Sequence, residues 1–154
     1  MTVINPIRMG GMDILPLVEG GKGVSASNGI SAGHWALAGG VGTFSAVNAD
    51  SFDEQGRVIP QIYKGRTRRD RHEELIQFAI EGGVEQAKRA WEISGGKGRI
   101  HANILWEMGG AERVINGILE RTKGIVSGIT CGAGMPYRLS DIAAKFNVHY
   151  LSLI

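Results

Sequence analysis

Apolar runs alternate with helical stretches along the C-terminal third of the chain, and this alternation restricts the fold more than any other feature. Apolar strands are predicted at residues 100–106, 124–130 and 148–154, with helices at 111–121 and 140–146 between them. Strand starts recur about every 25 residues, which is typical of right-handed βαβ units because a parallel return requires a crossover of about a dozen residues. The sequence therefore predicts an α/β fold with a parallel sheet.

The upstream half continues this pattern less regularly. Residues 70–94 carry an apolar stripe at helical spacing and predict one helix, or two if the glycine pair inside the stretch interrupts it. A short helix is predicted at 31–38 and a strand at 41–47, followed by an excursion loop at 48–64 that is rich in turn-forming residues. The whole pattern predicts about four or five parallel strands with helices between them.

The last predicted strand runs to Ile154 with no polar cap after it. A parallel sheet normally has both faces covered, and a closed barrel leaves no edge open. This ending therefore predicts that sequence is missing beyond the chain. Residues 1–154 are predicted to be a single domain that forms the first part of a larger unit.

Glycine is the residue type used far above its usual frequency, with 24 among 154 residues against an average of about 7%. Many of these glycines fall in adjacent pairs beside apolar runs, and proline is scarce. Glycine permits left-handed backbone and lets the chain approach a ligand closely. Such pairs at the ends of strands and helices therefore predict loops that turn sharply or that bind.

Two short segments combine these features with a candidate ligand contact. Gly10, Gly11 and Met12 follow a short apolar run, and two glycines there would let backbone approach a planar or phosphorylated ligand. A plain tight turn is the alternative. Asn103 stands among apolar residues in a predicted strand, where its amide needs both a donor and an acceptor. A flavin ring offers both, and a structural hydrogen bond to a neighbouring loop is the alternative.

A third segment carries the sharpest signal. Gly132, Ala133 and Gly134 follow the predicted strand at 124–130 and precede Pro136. Parallel α/β folds place their ligand sites at the C-terminal ends of strands, and small residues there would leave space for a cofactor or a substrate. The alternative is an ordinary connection from strand to helix that the proline ends.

Four segments, in order, resemble the nitronate monooxygenase (2-nitropropane dioxygenase) family and its relative, the flavin-dependent enoyl-acyl-carrier-protein reductases. Residues 10–12 resemble the family's glycine-methionine loop, and residues 38–43 its Gly-Gly-hydrophobic-Gly segment. Asn103 matches an asparagine that contacts FMN, and residues 132–136 match a strand ending in Gly-Ala-Gly-x-Pro. The resemblance covers the whole chain, which looks like the N-terminal half of the family's proteins.

This resemblance implies a TIM-type (β/α)8 barrel, of which the chain is the N-terminal portion, with non-covalent FMN at the C-terminal ends of the strands. It implies an oxidoreductase that oxidises alkyl nitronates with oxygen. The cofactor-binding residues that it implies are Gly10, Gly11, Met12, Asn103, Gly132, Ala133 and Gly134. Barrel phosphate sites usually lie after strands 7 and 8, so a half-length chain is expected to bind FMN weakly.

The sequence departs from the family pattern at the catalytic position. The histidine of the typical nitronate-oxidising enzymes would fall at Gly132, so no catalytic residue is assigned. The Gly-Ala-Gly-x-Pro form is more similar to the enoyl reductase branch. An NAD(P)H-dependent enoyl reductase and a non-catalytic, truncated half-barrel therefore stand as alternatives to the nitronate monooxygenase.

Composition argues against several other classes. The formal net charge of +2 gives no global field to attract nucleic acid, and no apolar run approaches the roughly 18 residues of a membrane span. The histidines show no ligand spacing, which predicts no metal site, and residues 20–23 lack the hydroxyl and the glycine spacing of a phosphate loop.

The remaining expectations concern location and partners. Cys131 is the single cysteine and favours a reducing compartment, and the first residues show no targeting signal. A cytoplasmic location and a small-molecule substrate are therefore predicted. For protein partners, the alternatives are a homo-oligomer and pairing with a missing C-terminal half.

Overall fold

A computed structural model describes residues 4–23 and 25–153. From α1 onward, helices and strands alternate within these residues, as the apolar pattern predicts. The elements are β1 (Ile7–Met9), β2 (Met12–Ile14), α1 (Gly29–Leu37), β3 (Val41–Ser45), α2 (Arg68–Ser94), β4 (Arg99–Leu105), α3 (Ala111–Arg121), β5 (Gly128–Gly132), α4 (Leu139–Phe146) and β6 (His149–Ser152).

The strands β3, β4, β5 and β6 form a four-stranded parallel sheet in which neighbours in space are neighbours in sequence. Each crossover between them contains one helix, because a parallel return requires a long connection. The predicted α/β fold with a parallel sheet is confirmed. The order shows no reversal within the described residues, so every crossover steps in the same direction across the sheet.

All four helices pack on one face of this sheet, and a continuous hydrophobic core joins them to it. Successive strand residues point to opposite faces, so only alternate residues enter this core. The core residues of the strands are Phe44, Ile100, Ala102, Ile104, Ile129 and Cys131. Burying a large aliphatic or aromatic side chain contributes about 1.5–3 kcal/mol, and these side chains hold the helices to the sheet.

The chain between β2 and α1 runs beside β3 as an irregular fifth strand, here named the edge segment (residues 15–19). Val18 forms a parallel bridge with Val41, and the Glu19 amide donates to the Val41 carbonyl at 2.9 Å. Pro16 has no amide hydrogen to give to a ladder, which accounts for the irregular pairing. Four regular strands and one bridged segment agree with the predicted four or five.

The strands β1 and β2 form a separate antiparallel hairpin and do not join the parallel sheet. Gly10 and Gly11 are its two-residue turn, with φ angles of 55° and 81°. Positive φ at both central positions defines the type I′ turn that suits a two-residue hairpin. These glycines therefore make the tight turn that was the alternative to a ligand-binding loop, and Met12 begins β2.

The helix α2 runs unbroken for 27 residues. It continues through Gly82 and Gly83, where the sequence left a break into two helices as an alternative. A Cβ on Gly82 would overlap the Ala49 carbonyl, and one on Gly83 would overlap the Ile118 side chain. The pair therefore permits close packing, which offsets the helix-propensity cost of about 1 kcal/mol per glycine. Although α2 is long, neither it nor any other helix in the described residues is apolar enough to cross a bilayer.

Boundaries near β5 differ from the prediction of a strand at 124–130. The amides of Ile125 and Val126 both donate to the Thr122 carbonyl, which closes a turn after α3. These amides are therefore not available to a ladder, and β5 begins only at Gly128. Local hydrogen bonds of this kind compete with strand pairing in a way that an apolar run does not reveal.

The last helix begins one residue earlier than predicted, and the last strand begins one residue later than predicted. α4 begins at Leu139, so Ser140 is not its N-cap; its hydroxyl donates to the Tyr137 carbonyl at 2.8 Å. β6 covers His149–Ser152. The predicted strand extends to Ile154, which lies outside the described residues.

Candidate functional site

The sheet face away from the helices is buried and carries polar side chains, and we call it the polar face. Its residues form rows across neighbouring strands. One row contains Thr43, His101, Gly128 and His149, and the next, nearer the C-terminal ends of the strands, contains Ser45, Asn103, Thr130 and Leu151. The side chains of Thr43, Ser45, His101, Asn103 and Thr130 lie in residues that are at most 3% exposed.

Unpartnered buried polar atoms are concentrated on this face. Within residues 4–23 and 25–153, the buried side-chain nitrogen and oxygen atoms without a hydrogen-bond partner are Thr43 Oγ1, Arg99 Nε, His101 Nε2, Asn103 Oδ1 and His149 Nδ1. All five belong to strand residues whose side chains point to the polar face, because successive strand residues point to opposite faces. Leaving such an atom unpaired costs about 1–3 kcal/mol. The polar face therefore carries unused hydrogen-bonding capacity that a ligand or further protein could satisfy.

At the C-terminal end of the strands, Asn103 lies under Gly21. Asn103 is 3% exposed and its Oδ1 has no partner. A Cβ placed on Gly21 would overlap the Asn103 side chain, so this close approach requires glycine. Asn103 therefore offers an unused acceptor beside a stretch of backbone that has no side chain.

Glu19 fixes the position of Gly21 over the sheet. Glu19 is 4% exposed, and its Oε2 accepts a hydrogen bond from the Thr43 amide at 3.0 Å. A hydrogen bond to a charged group is stronger than one between neutral groups. This contact holds the end of the edge segment against β3, and the chain then turns across the polar face through Gly20 and Gly21.

The end of β5 forms a left-handed turn beside this position. Gly132 lies opposite Leu105, and its carbonyl accepts from the Trp106 amide at 3.2 Å. Ala133 and Gly134 both have positive φ, 52° and 92°, and this conformation costs a residue with a Cβ about 1–2 kcal/mol. Gly132 and Thr130 are two residues apart in β5 and therefore point to the same face of the sheet. Because Gly132 has no side chain, the last residue of β5 adds none to the polar face.

Gly10, Gly11 and Met12 lie at the other end of the sheet. A Cβ on Gly10 would overlap the His149 ring, and the Arg99 guanidinium donates to the Met9 carbonyl at 2.9 Å and to the Gly10 carbonyl. Arg99 and Asn103 are four strand residues apart, which corresponds to about 13 Å. The structure therefore brings Asn103, Gly132, Ala133 and Gly134 to one end of the sheet and does not bring Gly10, Gly11 and Met12 together with them.

The histidines of the polar face are held in their neutral form. Burial, with smaller contributions from the nearby His149 and Arg99, lowers the pKa of His101 to about 4. Burial also lowers the pKa of His149, again with a contribution from Arg99. A buried imidazole beside a guanidinium loses solvation and gains repulsion when it is protonated. Both rings are therefore neutral, single donors at pH 7.

Sequence reasoning set residues 20–23 aside as a phosphate loop and gave Gly21 no other contact, and it did not group Arg99, His101 and His149. For the second group a signal was present, since Arg99, His101 and Asn103 alternate with apolar residues in β4. Alternation of polar and apolar residues in a strand predicts one polar and one apolar face. This alternation is informative in β4, because the central strand of a parallel sheet is usually apolar on both faces. Gly21 had no comparable signal, because its contact is with a residue more than eighty positions away.

The cysteine lies on the other face of the sheet. Cys131 is buried in the core against the helices, and burial raises the pKa of its thiol. A buried thiol with a raised pKa is a weak nucleophile at neutral pH. Among the described residues, no group of three or more histidine, cysteine, aspartate or glutamate side chains is arranged to hold a metal ion.

No protein-family model matches this chain, and no curated protein matches it significantly. The α/β fold and the geometry of the two ends of the polar face are therefore the observations on which a functional proposal rests.

Proposed function

We propose that this chain is part of an FMN-dependent oxidoreductase of the nitronate monooxygenase type, with the flavin at the C-terminal end of the polar face. The observation that carries this proposal is the unpartnered Oδ1 of buried Asn103 next to Gly21. A flavin ring carries N–H and carbonyl groups that could pair with an asparagine amide. The ordered sequence motifs that resemble the nitronate monooxygenase family support the same assignment.

The residues at this end fit such a cofactor. Asn103 would accept a hydrogen bond from the ring, and Gly132, Ala133 and Gly134 would bring backbone close to it, since their left-handed turn carries little side-chain bulk. Gly21 would cover the amide of Asn103 and restrict its orientation. Gly10, Gly11 and Met12 are not in this proposed set, because they lie at the opposite end of β4.

When bound, FMN would supply two-electron oxidation of a carbon acid and transfer of the electrons to oxygen. The protein would bind the flavin, orient it through Asn103 and limit access of water from the helix side through the apolar core. A base that removes the substrate proton is not assigned. The family's histidine position is Gly132 in this chain, and glycine has no group that accepts a proton.

The larger fold in this proposal is a (β/α)8 barrel. The strands follow one another across the sheet without reversal, and all four helices lie on one face. Right-handed crossovers that always step in the same direction give this arrangement, which is the one found in barrels; doubly wound sheets reverse direction and carry helices on both faces. The polar face would then point to the barrel interior.

The test is a fluorescence titration of FMN with the 154-residue chain, in which bound flavin is quenched. We expect saturable, weak quenching that Asn103→Ala reduces by about tenfold in affinity, as loss of one buried hydrogen bond implies. Asn116→Ala is the matched control, because Asn116 lies on α3 and its amide donates to the Glu112 carbonyl. Absence of quenching, or equal quenching by both variants, would contradict the proposal.

Gly132 favours a second candidate, an NAD(P)H-dependent enoyl reductase. Such an enzyme receives hydride from a nicotinamide and has no need of a base at the position that Gly132 occupies. Anaerobic reduction of protein-bound FMN distinguishes the two candidates. Fast reduction by NADPH with none by an alkyl nitronate would favour the reductase, and the reverse would favour the monooxygenase.

A further inference from the structure

The N-terminal end of the polar face holds a second polar site, separate from the proposed flavin position. A cleft of about 610 Å³ opens there between the β1–β2 turn and the segments that enter β5 and β6. Its lining includes Gly10, Arg99, Ser127, Asn147 and His149. We name it the lower cleft, and its volume is sufficient for a small ligand.

Arg99 brings an uncompensated positive charge to the lower cleft. Its guanidinium donates to the Met9 and Gly10 carbonyls, and its Nε is buried without a partner. Each of the ion pairs found within residues 4–23 and 25–153 involves another cation. A partly buried charge without a counter-ion is unfavourable, so this guanidinium has capacity for an anion.

Two imidazoles add donors on the same side. His149 lines the cleft and its Nδ1 is buried without a partner, and His101 has an unpartnered Nε2 in the same row of the sheet. The ring centroids are 6.0 Å apart. The hairpin that covers this end presents backbone carbonyls to Arg99, while its own charges, Arg8 and Asp13, pair with each other and are exposed.

We infer that the lower cleft binds the oxyanion group of a small molecule, a phosphate or a carboxylate, through Arg99 and His149. Arginine forms short, charge-assisted hydrogen bonds with both groups. Binding would place a negative charge beside His149, which would then take up a proton from solvent and become a second cationic donor. His101 lies behind it and would respond through the same charge.

The test uses nuclear magnetic resonance of the histidine ring protons of the 154-residue chain. Inorganic phosphate, or acetate in a separate titration, is added at pH 6.5 while sodium chloride keeps the ionic strength constant. We expect a saturable shift of His149, a smaller one of His101 and a raised pKa of His149. His34 and His72 lie on the surface of α1 and α2 and serve as internal controls that should not respond.

Arg99→Gln should lower the affinity for the anion at least about tenfold, as expected for loss of a charge-assisted contact. Arg113→Gln is the control, because Arg113 already pairs with Glu73. The inference would be overturned if chloride shifted the His149 ring-proton signals as much as phosphate and acetate do. Unchanged affinity for the anion in Arg99→Gln would also overturn it. If that variant does not fold, the titration of the natural chain decides alone. FMN binding at the other end is measured independently, so the two proposals can fail separately.

Discussion

His101 and His149 stand on either side of Gly128 in one row of the sheet, with their ring centroids 6.0 Å apart and their planes tilted by 39°. A Cβ on Gly128 would overlap the His101 ring, so the glycine makes room for a bulky neighbour. His101 is fully buried and His149 is partly buried. Two neutral rings in this row are compatible with folding, whereas protonation of the buried ring opposes it.

The first prediction concerns pH. The pKa of His101 is about 4 in the folded chain and 6.5 as its ordinary value, so the unfolded chain binds more protons between these values. The free energy of unfolding should therefore be highest above pH 6.5 and fall as the pH approaches 4. A difference of one bound proton changes the free energy of unfolding by about 1.36 kcal/mol per pH unit, so this free energy should fall by about 2 kcal/mol from pH 7 to pH 5. Urea denaturation at these pH values measures it.

The matched variants for this experiment are His101→Gln and His34→Gln. His34 is exposed on α1, so its substitution should preserve the fall between pH 7 and 5. His101→Gln should remove most of it. The window above pH 5 is chosen because the acidic groups with lowered pKa values, such as Glu81, titrate below it. A flat profile for the natural chain would contradict the assignment.

The second prediction concerns the contact between Gly21 and Asn103. Gly21→Ala should destabilise the chain by about 1–3 kcal/mol, because the added methyl group overlaps the buried Asn103 side chain. Gly20→Ala is the control, since nothing lies within 4 Å of a Cβ at that position, and it should change stability by less than about 0.5 kcal/mol. Chemical denaturation of both variants at pH 7 measures the difference. Equal effects would show that the close approach is not as described.

The third prediction concerns Gln86, which connects α2 to the start of α1 and to the loop after β3. Its Oε1 accepts from the Gly29 amide at 2.6 Å and its Nε2 donates to the Asp50 carbonyl at 2.6 Å. Gln86→Leu should leave two backbone groups unpaired and cost about 2–4 kcal/mol. Gln77→Leu on the exposed side of the same helix is the control. Thermal denaturation that showed the same midpoint for both variants would contradict the buried connection.

The fourth prediction sets packing against helix propensity at Gly82. Alanine stabilises an exposed helix interior by about 1 kcal/mol relative to glycine, but a methyl group here would overlap the Ala49 carbonyl, which is backbone and cannot rotate away. The packing cost should exceed the gain, so Gly82→Ala should unfold at lower urea concentration than the natural chain. Lys88→Ala on the exposed side of α2 provides the control. If Gly82→Ala were more stable than the natural chain, Gly82 and the Ala49 carbonyl would have to be farther apart than the structure places them.

Much of the fold could be predicted from local patterns. The helix at Ala111–Arg121 was predicted at its observed bounds, because apolar residues at spacings of three and four identify a helix that packs by one face. The parallel order followed from the spacing of strands and helices. The hairpin around Gly10 and Gly11 was not predicted, since the same glycines suit either a turn or a ligand-binding loop, and only pairing between strands distinguishes them.

The candidate site was predictable only in part. Asn103 was singled out by its position in an apolar strand, and the structure leaves its Oδ1 unpartnered. Gly132, Ala133 and Gly134 were placed after a strand; in the structure Gly132 is the last residue of β5, and Ala133 and Gly134 follow it. Arg99 and His149, by contrast, come from strands fifty residues apart in the chain. Their proximity depends on the register of three strands, which no short segment encodes by itself.

The sequence by itself determined the alternation of helices and strands, the parallel sheet and the residues that form its apolar face, because each depends on periodicity within a few turns of chain. The tertiary structure alone decided which glycines meet which side chains, that Gly21 covers Asn103, and that Arg99, His101 and His149 share one end of the polar face. These contacts join residues from distant segments, and their energies depend on distances that only the packed chain defines.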